Sequence, residues 1–433
     1  QGIVLNGNTI ECDGAAVGDS AVIGGKTIYV VDRDALISIV ENGDFTFTPS
    51  GSASSTTVTP TDLSCVCTSN ITDMSFIFKR DGVYGKSNFN TDINNWDVSN
   101  VTSMQSMFEE ASNFDNPLNY WDVRLVENMQ AMFKNAALFN RSLNDWDVSN
   151  VKNFAAMFQS ASVFNKSLDN WVLSPQLTNL NYMFWEATRF NQPLDNWVTT
   201  NIKSLQGTFR KARDFNQDLS TWDVSEVTRM DKLFYGAASF NGDIDNWQVQ
   251  KVIRLSETFR DAISFNRNIS GWQTLKLQYM NWTFANAESF NVDINSWDVE
   301  EVVNMNYLFR DTDIFDQPLN LWKTYKLKST EGTFYKAIKF NRPLDDWDTD
   351  EVTNMKNMFF QAVEFNNGQS GGVSNTLSFN MSSVKNTQSM FWKASKFNAH
   401  LSGWDLGEVT EMASMFRDSN WNNGASAGVS TTL

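Results

Sequence analysis

Large apolar residues recur along most of the chain at a fixed interval. Trp96, Trp121 and Trp146 lie 25 residues apart, and the apolar positions between them recur with the same period. A period of about 20–50 residues is the signature of a solenoid, in which similar coils stack on one another. We predict a structural ladder of one tryptophan per coil, formed by Trp96, Trp121, Trp146, Trp171, Trp197, Trp222, Trp247, Trp272, Trp297, Trp322, Trp347 and Trp404.

The segment before each tryptophan has the spacing of a helix. Met104, Met107, Phe108 and Ala111 stand at i, i+3, i+4 and i+7, which places them on one face of a helix of about two turns. A small residue recurs at the position of Ala111 in most units. We infer that this short helix approaches its neighbour in the next coil closely.

The tryptophan itself belongs to an extended segment. Leu118, Trp121 and Val123 form an LxxWxV pattern, and residues two apart point to the same side of a strand. Proline stands four residues before the tryptophan in several units, which excludes a helix interior there. These prolines are Pro117, Pro193, Pro318 and Pro343.

The pattern therefore predicts an α/β repeat fold, a leucine-rich-repeat-like solenoid of about thirteen 25-residue coils. Each coil would contain a short helix and a short parallel strand. Phe379 takes the tryptophan place in one coil, after an insertion around 367–372. Residues 1–66 lack the period and predict an α+β cap with a Ser/Thr-rich connector, and 67–433 form the solenoid. Because the chain ends within a repeat, we expect an uncapped C-terminal end.

The amino-acid composition argues against several classes of function. The 433 residues include 33 Phe and 16 Trp, which coil stacking explains because each buried aromatic contributes roughly 1.5–3 kcal/mol. A net charge of −16 argues against nucleic-acid binding and against binding to an anionic membrane surface. No apolar run is long enough for membrane insertion. The single histidine, His400, leaves few schemes for acid–base catalysis or a zinc site. We expect no enzymatic activity and no cofactor other than Ca²⁺.

The three cysteines lie near the N-terminus. Cys12, Cys65 and Cys67 allow one disulfide and one remaining thiol. A bond from Cys12 to Cys67 or to Cys65 would tie the cap to the first coil, and Cys67 is the favoured partner. The alternative is three reduced cysteines in a cytosolic protein.

The repeat resembles a known family. The segment NVTSMQSMFEEASNFDNPLNYWDV, residues 100–123, is similar to the repeat of BspA-like leucine-rich-repeat surface proteins, a repeat also found in mycoplasma surface lipoproteins. The resemblance extends from about Cys67 to the C-terminus. It implies a leucine-rich-repeat-like solenoid, placement outside the cell or at its surface, and a role in adhesion or protein binding. It implies no catalytic residues. The N-terminus carries no basic and apolar signal segment, so we expect a chain from which a signal peptide has been removed.

Two polar positions recur in register with the aromatic ones. A short amide or acid follows the second phenylalanine of each coil, as at Asn140 and Asn165, and we interpret it as a structural ladder. Asp97, Asp122 and Asp147 each follow a tryptophan. These carboxylates either accept backbone hydrogen bonds in their turns, or form a surface that binds Ca²⁺ or a basic partner.

These features favour a binding protein. We expect a secreted or surface-displayed solenoid that recognises a protein or a surface glycan through its strand face and inserted loops. The predicted contact residues are Asn95, Asp97, Tyr120, Asp122, Asp145 and Asp147, together with Tyr84 in a glycine-containing loop. The alternatives are a subunit of an extracellular filament or surface layer that self-associates end to end, and a passive stalk or passenger region of a larger secreted protein.

Overall fold

A computed structural model describes residues 2–49, 52–369 and 375–423 of the chain. The chain divides into two compact units: the first comprises Gln1–Ile202 and Lys211–Phe215, the second Lys203–Arg210 and Asn216–Leu433. The cap predicted for residues 1–66 and the first coils lie in the first unit. The insertion predicted at 367–372 lies partly outside the described residues, and residues 424–433 at the predicted uncapped end lie wholly outside them.

The cap contains the helix α1, Arg33–Asn42, whose apolar residues lie at helical spacing. Asp32 begins the helix by accepting a hydrogen bond from the Ala35 N–H, and Gly43 ends it in the left-handed conformation, with its N–H donating to the Ile39 carbonyl. Leu36 and Ile39 are buried on the inner face. Local sequence signals thus determine both ends of this helix.

Short strands surround α1. Two antiparallel hairpins pair β1 with β2 and β3 with β4, a third antiparallel pair joins β5 to β6, and β4 also pairs in parallel with β7. The strands are β1 Val4–Asn6, β2 Thr9–Glu11, β3 Ser20–Ile23, β4 Lys26–Val30, β5 Phe45–Phe47, β6 Thr56–Val58 and β7 Val66–Cys67, and 3₁₀ turns occupy Leu63–Cys65 and Lys86–Asn88.

A disulfide and several hydrogen bonds join the cap to the first coils. Cys12 forms a disulfide with Cys67, and Cys65 remains a buried free thiol. The Ile10 N–H donates to the Asn95 carbonyl at 3.0 Å. The Trp96 indole N–H donates to the Leu63 carbonyl at 2.9 Å, so the cap supplies the acceptor that a preceding coil supplies elsewhere. The cap therefore covers the aromatic face of the first coil.

The glycine-containing loop that follows Phe78 packs against the cap. The Tyr84 N–H donates to the Val40 carbonyl at 3.0 Å, which holds the loop against the C-terminal turn of α1. A Cβ atom at Gly82 would lie 2.4 Å from the Glu41 Cα, so only glycine permits this approach. The loop belongs to the junction between cap and coils.

Within each unit the repeats stack as successive coils of a solenoid, but the predicted helix is absent from the described coils. In residues 104–111 the Met107 and Ala111 N–H groups bond three residues back, and Ser106 and Glu110 have φ angles of 52° and 67°. An α-helix requires bonds four residues back and φ near −63°. These turns bury residues at i, i+3, i+4 and i+7 just as a helix would, so the apolar pattern could not distinguish them.

The strand prediction also needs correction. At Leu118 and Trp121 the chain makes a turn, in which the Trp121 N–H donates to the Leu118 carbonyl at 3.2 Å. The parallel pairing lies elsewhere, as single-residue bridges such as Ser103 to Asn128. Beyond the bridge, alternate N–H groups donate to carbonyls of the next coil: Met104 to Asn128, Ser106 to Gln130, Phe108 to Met132 and Glu110 to Lys134, at 2.8–2.9 Å. The segment predicted as helix thus carries the bonds between coils.

Aromatic rings stack from coil to coil in both units. In the first, the Trp121 and Trp146 rings are 6.4 Å apart and nearly parallel. In the second, the Trp272 and Trp297 rings are 5.8 Å apart, and Phe379 in the tryptophan place stacks on Trp404 at 6.4 Å. The tryptophan excess therefore reflects a repeated core position.

The repeat tryptophans also donate hydrogen bonds from their indole N–H groups. The Trp146 indole N–H donates to the Leu118 carbonyl of the preceding coil at 3.1 Å, and Trp322 donates likewise to Ile294 at 3.1 Å. A buried N–H without an acceptor would cost about 1–3 kcal/mol. The ladder thus combines stacking with a hydrogen bond that sets the register between coils.

The short amide after the second phenylalanine forms a further ladder. The Asn140 Oδ1 accepts the Asn165 N–H at 3.0 Å, and in the second unit the Asn266 Oδ1 accepts the Asn291 N–H at 3.0 Å. Aspartate works in the same place, since the Asp115 Oδ1 accepts the Asn140 N–H at 2.9 Å. These side chains bond the backbone of the next coil, so this polar position holds coils together.

Glu109 is a buried carboxylate of the first unit. Glu109 is 5% exposed and lies between Lys79 and Lys134, with N···O distances of 2.9 and 3.1 Å. Burial alone would raise the pKa of Glu109, but hydrogen bonds from Ser106, Lys79 and Lys134 together lower it below its ordinary value.

The stability of the first unit should accordingly depend on pH through Glu109. Because the folded state lowers this pKa, the carboxylate stabilises the fold at neutral pH, and this contribution is lost as the pH falls below the ordinary value of 4.5. We expect Glu109→Gln to melt earlier than the wild type near pH 7, with the difference shrinking near pH 3. Thermal unfolding across this range tests it. Glu110→Gln, which alters a more exposed carboxylate next to Glu109, is the control, and an equal effect of both variants would contradict the prediction.

Candidate functional site

The aspartates that follow the tryptophans act in their own turns. The Asp147 Oδ1 accepts the Ser149 N–H at 3.1 Å, and Asp223 and Asp298 bond the N–H two residues ahead in the same way. Hydrogen bonds from the Ser149 side chain and backbone lower the pKa of Asp147 despite partial burial. This is the arrangement expected of turn-capping aspartates.

The three aspartates considered as a calcium site, Asp97, Asp122 and Asp147, have hydrogen-bond partners within the protein. Asp97 is 6% exposed and bonds Ser69 and Ser99, while Asp122 pairs with Arg124. Among the described residues, no group of three or more His, Cys, Asp or Glu side chains is placed to hold a metal ion. The carboxylates recur in sequence, but each is bonded within the protein: Asp122 and Asp147 accept bonds in their own turns, and Asp97 accepts bonds both in its turn and from Ser69.

The remaining predicted contact residues lie in three places. Asp145 and Asp147 line an open depression of about 540 Å³ that also includes the exposed Val172. Tyr84 is half-buried in the loop against α1. Asn95 and Tyr120 line a second cavity, between the cap and the first coils, which we call the cap cleft.

The cap cleft has an open volume of about 530 Å³. Its lining combines polar and aliphatic side chains from the β1–β2 and β3–β4 hairpins, the connector and the first coils. These residues are Asn8, Ile10, Ile23, Lys26, Ile28, Asp62, Ser64, Thr91, Asp92, Asn94, Asn95 and Tyr120. A volume in the range of roughly 300–1,000 Å³ is typical of small-ligand sites.

Charged groups on one wall of the cleft neutralise each other. The Lys26 Nζ lies 3.5 Å from an Asp62 carboxylate oxygen and 2.8 Å from the Ser64 hydroxyl. Burial alone would raise the pKa of Asp62, but bonds from Ser64 and the charge of Lys26 lower it overall. Asp92 adds a second carboxylate without a cationic partner among the described residues. The cleft therefore carries a small negative charge.

Tyr120 is held by its backbone and leaves its side chain exposed. The Asn94 Oδ1 accepts the Tyr120 N–H at 3.1 Å, and the Asn94 amide donates to the Asn119 Oδ1 at 3.0 Å. The Tyr120 side chain is 49% exposed. Among the described residues no second ring stacks on Tyr120, in contrast to the aromatic rings of the core.

The sequence contained a signal for Tyr120 but none for the cap residues. The position before the tryptophan holds a small or polar residue in most coils, whereas Tyr120 and Leu321 are large. Lys26 and Asp62 have no such marker, because they meet Asn95 and Tyr120 only after the cap folds onto the coils.

The second unit carries an aromatic–arginine stripe that the repeat pattern did not predict. Its members are Tyr235, Arg260, Trp282, Arg310 and Tyr335. The Arg260 guanidinium carbon lies 5.2 Å from the Tyr235 ring centroid and 4.5 Å from that of Trp282, and Arg310 lies 5.1 Å from Trp282 and 5.0 Å from Tyr335. Neighbouring planar groups cover one another along this stripe, which favours coil stacking by cation–π contacts over ligand binding. The sequence signal for this stripe was a large residue directly after the first phenylalanine of several coils, such as Tyr235 after Phe234 and Arg260 after Phe259.

The repeat matches the family described as Mycoplasma protein of unknown function, DUF285, over residues 50–171, 173–272, 253–372 and 315–427. The chain belongs to this family. Its overlapping tandem matches agree with the resemblance to a repeat found in mycoplasma proteins, and they carry nothing specific to BspA-like proteins. Comparison with curated proteins and with solved structures gave no match. In the described part of this DUF285 repeat protein, no helix has the length and apolar character that crossing a membrane requires.

Proposed function

We propose that the protein is an extracellular or cell-surface binding protein, without catalytic activity, that recognises a protein or glycan partner. The cap cleft carries this proposal, because it combines an exposed aromatic ring with polar side chains at a place where the repeat pattern is broken. Elsewhere in the coils, the recurrent polar groups bond the solenoid itself, as the asparagine ladder does. Groups used for folding are not available to a ligand.

The disulfide supports an extracellular location. Cys12 and Cys67 are fully buried and joined, and such bonds persist mainly in oxidising compartments. The leucine-rich-repeat-like and BspA-like character and the adhesive role remain part of the proposal. The first coils carry both the cap cleft and the depression at Asp145 and Asp147, and we propose them as the binding region.

The alternative of an end-to-end filament is less well supported. Stacking of coils between molecules would need an open coil face at each end of the protein. The cap occupies the face of the first coil, because the Leu63 carbonyl accepts the Trp96 indole N–H and β4 pairs with β7. A filament would therefore require the cap to open or to be displaced.

A binding array tests the proposal. We expect the labelled protein to bind saturably to one or more members of an array of extracellular matrix proteins and oligosaccharides, and the combined substitution Tyr120→Ala, Asp145→Ala and Asp147→Ala to weaken this binding. Lys323→Ala, which changes the residue after a tryptophan in the second unit, is the matched control. Absence of binding, together with regular filaments in electron micrographs, would replace the proposal with the structural role.

A further inference from the structure

We infer that the cap cleft binds a neutral, hydroxyl-rich sugar residue, with the sugar ring stacked on Tyr120. This inference rests on the proposed binding function and specifies its ligand. Four properties of the cleft lead to it: its size, its free aromatic ring, its uncommitted polar atoms and its charge.

The exposed ring of Tyr120 favours a sugar as the ligand. A pyranose ring presents an apolar face of C–H groups, which packs on the face of an aromatic side chain while its hydroxyls point outward. Tyr120 has no ring partner among the described residues, and the bond from its N–H to Asn94 fixes its backbone. The backbone that carries the ring is therefore fixed before a ligand arrives, which lowers the ordering cost of binding.

The aromatic–arginine stripe does not meet this requirement. Its rings have neighbours on their faces: Tyr335 and Phe360 stack at 4.5 Å with an interplanar angle of 2°, and Trp282 and Tyr307 stack at 4.3 Å. Only ring edges remain toward solvent along such a stack. Tyr120 is therefore better placed than these exposed aromatic residues to receive a sugar.

The polar atoms around Tyr120 suit hydroxyl groups. Within the described structure, the side chains of Asn8 and Thr91, the second carboxylate oxygen of Asp92 and the Oδ1 of Asn95 have no protein hydrogen-bond partner. They include both donors and acceptors, and a sugar hydroxyl acts as both. A purely apolar ligand would leave these groups without partners.

Charge excludes acidic sugars. Lys26 is neutralised by Asp62, and Asp92 leaves the cleft negative in a protein of net charge −16. A carboxylated or sulfated sugar would meet repulsion instead of a guanidinium or ammonium partner. The aliphatic wall of Ile10, Ile23 and Ile28 further fits the C–H face or a methyl substituent of a neutral sugar.

The test uses the whole chain and an array of neutral oligosaccharides printed beside their sialylated and sulfated counterparts, lysine-rich peptides and matrix proteins. We expect binding to neutral members, followed by titration calorimetry with the best one. Tyr120→Ala should weaken this binding about tenfold or more, equivalent to about 1.4 kcal/mol. Tyr120→Phe should largely retain it, because the stacking face remains. Tyr120 is exposed, so both variants should melt like the wild type.

Tyr325→Ala is the matched control, since Tyr325 is a similarly exposed tyrosine in the second unit. An equal loss in Tyr325→Ala would place the sugar outside the cleft and overturn the inference. Preference for sialylated or sulfated members, or for lysine-rich peptides, would overturn the neutral sugar. Tyr120-dependent binding of matrix proteins alone would remove the sugar and leave the proposed function intact. No binding to any member would contradict both.

Discussion

Trp322→Ala should lower the free energy of unfolding of the coils around it by about 3–5 kcal/mol. Trp322 is fully buried, stacks on Trp347 at 5.9 Å and donates its indole N–H to the Ile294 carbonyl. Alanine removes the ring, leaves a cavity and deletes the hydrogen bond. Because each coil contacts mainly its neighbours, the loss should appear as early opening of nearby coils. Denaturant unfolding combined with hydrogen exchange measures both the size and the place of the effect.

Two further variants serve as controls for Trp322→Ala. Trp322→Phe keeps an aromatic ring, as Phe379 does at the equivalent place, and should cost clearly less than alanine. Leu321→Ala changes the adjacent residue, which is 61% exposed, and should stay within about 0.5 kcal/mol of the wild type. A Trp322→Ala variant no less stable than Leu321→Ala would refute the proposed role of the tryptophan ladder.

Removal of the disulfide should have the second large effect. Cys12 and Cys67 are 55 residues apart, and the chain-entropy model assigns the closure of such a loop about 4 kcal/mol. We expect the double substitution Cys12→Ser, Cys67→Ser to release the cap at a lower temperature while distant coils of the second unit keep their stability. Melting followed by hydrogen exchange in the cap tests this, and reduction of the wild type with dithiothreitol should reproduce it.

Cys65→Ser is the control for the disulfide experiment. Cys65 is buried but free, and its thiol lies 3.7 Å from an Asp62 carboxylate oxygen, so a hydroxyl can occupy the same place. We expect a change well below that of the double variant. Denatured, unreduced protein should contain one reactive thiol. Three reactive thiols, or a melting temperature insensitive to reductant, would show that the bond does not contribute.

The sequence was most informative where one residue type repeats the same contact. The positions of Trp146 and Asn165 were predictable because stacking and coil-to-coil bonding apply equally in every coil. The helix α1 has sequence signals of a different kind, the capping residues Asp32 and Gly43 at its two ends. In both cases the determinants lie within a short window or recur at one period.

The backbone of the coil was not predictable in the same way. Residues 104–111 have helical spacing, yet Ser106 and Glu110 adopt positive φ and the N–H groups of alternate residues bond the next coil. The apolar pattern records which side chains are buried, and several backbone paths can bury the same set. Contact with the adjacent coil selects among those paths, because it satisfies N–H groups that a helix would satisfy internally.

The sequence by itself determined the period and the ladder positions in this DUF285 repeat protein, and it contains the capping residues of the cap helix. Only the tertiary structure decided the turn-based backbone of the coils, the internal use of the aspartate carboxylates and the existence of the cap cleft. The physical reason is the distance along the sequence between the residues that interact. Burial and helix capping depend on residues that are neighbours in the sequence or recur at one period. The cleft depends on residues far apart in the sequence, which meet only after the cap packs onto the first coils: Lys26, Asp62, Asn95 and Tyr120.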